Sequence, residues 1–367
     1  LDAPQLQFFP SRTISLYMAK MFLTRTFAVL GGLVVILMTL DLLGESGQIL
    51  APEGNGEAEL WFYVSLRVPQ LIERFLPFAA LLGTLIALSS MNANSEIISM
   101  KAAGASAHQI LAPLILTSFI VGIGLFIFNE RVVAPAYGTL SAWESVDYGP
   151  IPEQRAGATN VWVRDGNDLI NARSVSGRGD ATILDGVTVY DRTGGVIEFL
   201  VSAERATYTG NGWRLENPQQ FDVSAVEQSN PESLVIAEGV TPDQFTLANI
   251  EAGALNFFEL RQAIADLQAA GRPTTALEAG LWHKISGPLS TLLMPLLGAV
   301  AGFGLARSGQ LFIRAIIGMA LGFTYFVADN FALAMGNIGA YPPLLAAWAP
   351  FFLFLLIGEA VLIRTEE

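Results

Sequence analysis

Six apolar stretches, three on each side of a long polar segment, constrain this chain more than any other feature of its sequence. Spanning the hydrocarbon of a bilayer takes roughly 20 mostly apolar residues. Residues 26–43, 69–91, 110–128, 285–304, 311–333 and 344–363 reach or nearly reach that length. The pattern predicts a polytopic α-helical membrane protein with six transmembrane helices and one inserted, water-soluble domain. Composition agrees: 14 % of the residues are charged and the mean hydropathy is +0.47, whereas a soluble domain carries about 25 % charged residues. A purely soluble globular protein and any disordered or fibrous class are excluded.

The polar segment reads as β. Short runs at 159–163, 182–189, 196–202, 219–224 and 234–238 alternate with turn signals such as Asp165-Gly166-Asn167, Thr193-Gly194-Gly195 and Gly210-Asn211-Gly212. Many short strands at regular spacing suggest a sandwich, a jelly roll or an open barrel. Arg178-Gly179-Asp180 is read as a plain turn rather than an adhesion motif. From Glu144 to Glu251 there are 17 acidic residues and 7 arginines, a net of −10 out of the whole chain's −13. Nothing in so acidic a chain points to nucleic acid. Phe257, Leu260, Ile264 and Leu267 then mark one face of a short helix leading back to the membrane. The expected divisions are 1–128, 129–256, 257–284 and 285–367: a first membrane half, the β domain, an amphipathic helix with its linker, and a second membrane half.

Basic residues in short loops set orientation. With the N-terminus inside, Arg12, Lys20, Arg25, Lys101, Arg307, Arg314 and Arg364 lie on the inner side, against Arg67 and Arg74 outside, a count of 7 to 2. Both termini are then cytoplasmic and the β domain lies on the opposite side. Residues 1–12 read as an extension or a processed end, and no cleaved signal peptide is expected. Ile14, Met18, Met21 and Phe22 form one face of an expected interfacial lead-in helix.

The chemistry is sparse. Cysteine is absent and only His108 and His283 could offer imidazole, so disulfides, thiolate metal sites and a zinc centre are not expected. None of the three lysines follows a glycine, so no phosphate-cradling Walker loop exists. If ATP drives anything here, another subunit hydrolyses it. The Ser-Gly-Gln tripeptides at 46–48 and 308–310 lack the setting of an ATPase signature.

One inner loop is informative. Ser95 offers an N-cap and Glu96 an acidic first turn, and Gly104 would end the helix. Ile97, Met100 and Lys101 share one side, which suits either a helix lying on lipid or a docking helix for a cytoplasmic partner. Within the spans, Asp41, Asp329 and Glu359 are costly in lipid. Glu359 lies within reach of interfacial water. Asp41 and Asp329 could either reach water likewise or face a cavity or partner helix. The spacings Gly298–Gly302 and Gly318–Gly322 allow close helix packing, within the chain or between chains.

Taken together, these residues resemble the LptF/LptG (YjgP/YjgQ) permeases of the lipopolysaccharide export ABC transporter. The resemblance covers about residues 13–364. It rests on Asp41 with Gly47-Gln48, Leu76-Pro77 through Gly104, Val133-Ala134-Pro135, Leu281-Trp282-x-Lys284 with Pro288-Leu289, and Gly322-Phe323 with Asp329. Asp41, Gly47-Gln48 and Asp329 are more similar to the LptG branch than to LptF. It implies a periplasmic β-jellyroll-like domain and a bacterial inner-membrane location. The implied partners are an LptF-like permease, an LptB-like ATPase dimer bound through Glu96, Ile97, Met100, Lys101 and Gly104, and an LptC-like helix near the first span. ATP and Mg would sit on the ATPase, with no cofactor in this chain. Lipopolysaccharide would be taken from the outer leaflet through a cavity whose candidate lining here is Val34, Met38, Asp41, Arg131, Tyr325, Phe326 and Asp329.

One departure matters. Family members of the well-known type carry lysines near the outer end of the first span, but residues 38–45 contain no base, and neither do residues 136–144. Only Arg131 is close, so recognition of lipid phosphates by lysine is not carried over. Three rivals remain: the paired LptF-type permease, a membrane-anchored scaffold that transports nothing, and a membrane enzyme using Asp41, Asp329 or Glu359. A scaffold would need only one span, and the opposite depths of Glu359 and the two aspartates argue against a shared catalytic site.

Overall fold

The structure, a computed structural model, describes residues 10–149, 159–177, 179–193, 196–231, 233–237, 239–246, 251–269, 272–302 and 311–366. The Ser11 hydroxyl accepts from the Ile14 N–H (3.4 Å) and starts α1 (Arg12–Ile49), a single helix of 38 residues. A helix of that length runs about 57 Å, nearly twice the hydrocarbon thickness. The expected lead-in helix is therefore not a separate element. Met18 and Phe22, on its apolar face, are fully buried in the helical core instead of lying in an interface.

After α1 come α2 (Glu57–Ala93), the short α3 (Glu96–Ala102) and α4 (Ala107–Phe128). A π-helical turn, Asn129–Val133, continues α4 into α5 (Ala134–Glu144). Helical chain thus extends well beyond the third apolar stretch. After the strands, α6 (Pro242–Thr246) packs its Phe245 into the β core, and beyond it lie α7 (Phe257–Ala269), α8 (Thr275–Gly302), α9 (Leu311–Asn337) and α10 (Pro343–Glu366).

Among the described residues, five helical segments are long and apolar enough to cross a membrane: Arg12–Ile49, Glu57–Ala93, Ala107–Glu144, Ile316–Asn337 and Pro343–Ala360. The remaining expected stretch falls in α8, with residues 303 and 304 outside the described set. Here α8 carries Lys284, Ser286, Ser290 and Thr291, all buried. It packs against α2, α4, α9 and α10, so its polar side chains are sheltered by protein.

Glycine sets how closely these helices meet. A Cβ at Gly83 would stand 2.8 Å from the Thr26 backbone nitrogen, and one at Gly122 2.8 Å from the Pro288 carbonyl oxygen. Contacts this short leave room only for glycine. Gly298 lies against Thr84 and Gly322 against Leu81, so these two glycines pack within the chain, both on α2.

The β domain is an antiparallel meander. Strands β1 (Thr159–Asp165), β2 (Asp168–Ser176), β3 (Ile183–Thr193) and β4 (Val196–Tyr208) pair in chain order. Along its far edge β4 pairs with β5 (Trp213–Glu216) and then β6 (Gln219–Asp222), a single return path broken at Asn217, which has φ +53°. The chain turns again, so that β7 (Glu227–Ser229) pairs β6 and β8 (Leu234–Ile236) pairs β5. Strands β1 to β5 pair in sequence order, whereas β6 pairs β4 and β8 pairs β5 across intervening strands. The described strands form one eight-stranded antiparallel sheet. Strand β2 was not expected, because its apolar positions Ile170, Ala172 and Val175 do not alternate strictly. Residues 178, 194–195 and 238, parts of expected turns and a strand, and the second Ser-Gly-Gln at 308–310 with Arg307 lie outside the described residues.

Candidate functional site

Two polar clusters and one surface helix stand out from an otherwise apolar helical body. The first cluster joins α1, α2 and the end of α5. Arg67 on α2 grips Asp41 on α1 with two hydrogen bonds, Nε to Oδ2 at 3.0 Å and Nη2 to Oδ1 at 3.1 Å, and the Tyr63 hydroxyl donates to Oδ2 at 2.7 Å. A two-pronged guanidinium–carboxylate contact is among the strongest of ion pairs. Asp41 is thereby ion-paired across the α1–α2 contact. Nearby, the Tyr148 hydroxyl donates to Glu45 at 3.1 Å. Asp147 and Tyr148 both lie in the left-handed region (φ +50° and +57°), an uncommon conformation outside glycine. That turn carries the Tyr148 ring against Trp143 (5.1 Å) and Tyr63 (6.2 Å). Asn55 closes the seam by donating to the carbonyls of Ile49 and Tyr148.

Met38 and Val34 pack into this same aromatic region, with Met38 buried. The α1 side chains turned outward are Val35, Ile36, Leu40 and Leu43. A similar division of inward and outward side chains holds on α9. Tyr325 is buried edge-on against Phe354 of α10 (5.3 Å), Phe326 is half-buried, and Phe323, Val327 and Phe331 form the outward face. Asp329 stands 3.9 Å from His283 of α8. The candidates on α1 are thus held by α2 and α5, and those on α9 by α8 and α10.

The second cluster was not legible as such. Lys284 of α8 is buried and donates to Asn129 Oδ1 at 3.0 Å, and Asn129 Nδ2 donates to Glu73 of α2. A buried ammonium is costly unless it is paired and hydrogen-bonded, so burial here requires these polar partners. Asn129 opens the π-turn, and its neighbour Glu130 accepts from the Phe257 N–H with both carboxylate oxygens (2.8 and 3.0 Å). Arg131, next in the turn, is exposed. Glu73 inside an apolar run was a readable signal. Asn129 was not, since nothing local marks a π-turn.

The surface helix is α3. Ser95 precedes it but sits at φ +60° and makes no side-chain cap, contrary to its expected role. The other end follows expectation: the Gly104 N–H donates to Lys101 and the Ala105 N–H to Met100, with Gly104 at φ +91°, a Schellman ending. Ile97 is buried in the helical core and Met100 packs against it. They fasten the helix down, while Ile98, Lys101 and Ala102 face outward. Glu96 accepts from the Tyr17 hydroxyl of α1 at 3.2 Å.

The β domain encloses a cavity of about 300 Å³, floored by Ile170, Val189 and Val201 and edged by Asp165, Asp168 and Asp191. Burial, then the charges of Asp168 and Glu198, push the Asp191 carboxyl above the usual aspartate range. Such a rim disfavours an anionic group.

Residues 16–364 match the family model described as lipopolysaccharide export system permease LptF/LptG. The chain is 27 % identical over 356 residues to the lipopolysaccharide export system permease protein LptG of Haemophilus influenzae, covering 93 % of this chain and 97 % of that one. It is 25 % identical over 373 residues to the protein of the same description from Escherichia coli K12, covering 97 % and 99 %.

Proposed function

Since the chain belongs to the LptF/LptG family of lipopolysaccharide export permeases, we propose how its parts divide the work of export. It is an LptG-like permease subunit of the lipopolysaccharide transporter. In this reading α8 is the sixth crossing, the termini are cytoplasmic and the β domain stands in the periplasm. The subunit itself catalyses nothing. ATP and Mg bind a separate LptB-like ATPase dimer, which docks on the outward side of α3. An LptF-like permease and an LptC-like anchor complete the complex, and the lipid path runs along the outward faces of α1 and α9.

The observation that carries this reading is the unbroken match over residues 16–364, which takes in both helical halves and the sheet between them. The head-group problem also changes. With Asp41 already paired to Arg67, the outer end of α1 no longer presents that carboxylate to a phosphate. Arg67, about one-third exposed, neutralises that carboxylate from α2.

Depleting the chain in its native cell tests the reading. Lipid mass spectrometry of separated membranes is expected to find lipopolysaccharide retained in the inner membrane. The chain, isolated in mild detergent, is expected to bring an ATPase and a second permease with it. Normal lipopolysaccharide delivery after depletion, or isolation without an ATPase, would overturn it.

A further inference from the structure

The π-turn Asn129–Val133 stands where the β domain's outgoing and returning connections meet the membrane helices. Upward from it, α5 leads toward the sheet. On the return, α7 begins at Phe257, whose N–H is held by Glu130. The start of α7 is otherwise fixed by a reciprocal cap, Asn256 N–H to Glu259 Oε2 (3.2 Å) and Glu259 N–H to Asn256 Oδ1 (2.9 Å). Glu130 is thus an additional, long-range clamp on an end that already has its own local cap. Just before it, the returning chain lies flat on small residues: Ala254 against Gly138 of α5, and Ala252 against Gly280 of α8.

From the same turn, Asn129 reaches sideways in both directions. Its amide nitrogen donates to Glu73 on α2 and its amide oxygen accepts from Lys284 on α8. The first membrane half contributes α2 and the second contributes α8, so one side chain ties the two halves together. Apolar residues could fill this space without desolvating an ammonium and a carboxylate. A π-turn is itself a local departure from helical pairing that concentrates at functional positions.

Resting on the export function proposed above, we infer that Glu73, Asn129, Lys284 and Glu130 form a coupling joint. They are positioning residues that transmit relative movement of the two membrane halves to the two stalks of the β domain. Lys284 sets the turn through Asn129, and Glu130 makes the returning stalk follow it.

The test uses the complete transporter with two variants, Lys284→Met and Glu130→Gln, and Lys284→Arg as the conservative control. Because the chain has no cysteine, Ala58→Cys on α2 and Ala265→Cys on α7, both exposed, accept spin labels with no competing site in this chain, and this chain is labelled before assembly with its partners. The unmodified joint is expected to give one narrow label-to-label distance that shifts between the nucleotide-free and ATP-bound complex. Lys284→Met should broaden it and remove the shift. Lipid transferred per ATP hydrolysed should fall about tenfold, within the usual span of coupling free energies, while ATP hydrolysis itself persists. Lys284→Arg should restore both readouts in part. Unchanged distances in Lys284→Met overturn the joint, as does an equal fall in hydrolysis and transfer with no change in distance. If the unmodified complex moves no lipopolysaccharide, the export reading fails, while the distance measurement still decides the joint.

Discussion

At the scale of single residues, the Asp41–Arg67 pair shows how a tertiary partner changes the meaning of a sequence feature. An aspartate in an apolar run is a costly group of unknown purpose until its partner is known. Arg67 was visible only as an outer-loop charge. Removing it leaves the Asp41 carboxylate with Tyr63 alone. Arg67→Ala is expected to cost on the order of 1–3 kcal/mol, less than for a fully buried pair because both side chains are partly exposed. Arg67→Lys should not recover it, since an ammonium cannot grip two oxygens. Asp41→Ala in the same chain should recover part of the loss, read as thermal unfolding in detergent. Two aspartates of the β domain should have titration midpoints displaced in opposite directions from the ordinary value. Asp222 accepts from the N–H groups of Ala225 and Ser224 and from the Ser224 hydroxyl, and these hold its carboxyl below the ordinary range. Its contribution is present above the unfolded value and is lost as pH falls through the folded one. Asp191, raised by burial and acidic neighbours, stabilises in its neutral form. That contribution is complete below the unfolded value and is lost as pH rises through the folded one. Carboxyl chemical shifts followed through an NMR titration should separate the two, and coincident midpoints would refute the assignment.

Among the elements, α3 best separates what a pattern says from what packing decides. Its sequence marks Ile97, Met100 and Lys101 as one side, and the fold turns Ile97 and Met100 of that side into the helical core. Seven residues are too few to hold a helix alone, so its apolar face serves to anchor it. The outward apolar residue is Ile98, 47 % exposed. With the ATPase docked as proposed, Ile98→Glu is expected to release it while leaving membrane insertion intact. Ile97→Glu should instead destabilise the chain, because it buries a charge against the core. Co-isolation with the ATPase, compared with yield in the membrane fraction, distinguishes the two. The same logic explains α8. Hydropathy measures readiness to face lipid, and a helix surrounded by four others need not be ready.

For the whole molecule, the helical body and the β domain have separate cores. One is built on Leu81, Leu88, Ile110 and Leu297 and the other on Val161, Ile170, Leu184 and Trp213. Trp213 is fully buried, donates from its indole N–H to the Val240 carbonyl and packs on Phe245. Trp213→Ala should cost about 3–5 kcal/mol within the β domain alone. Limited proteolysis should then cut between 159 and 246 while the helical fragments stay intact, and equal loss of both parts would contradict separate cores. Fold class, the order of helices around a β insert and the family were set by the sequence itself. Apolar length, alternation and turn residues are local properties, and bilayer thickness and strand pleat impose them position by position. Which face of each helix turns inward, that Arg67 meets Asp41, and that Lys284, Asn129 and Glu73 converge on one turn were decided by tertiary structure alone. Those residues lie 26, 155 and 56 positions apart. Their meeting depends on how glycine-lined helices cross, and no local pattern encodes it.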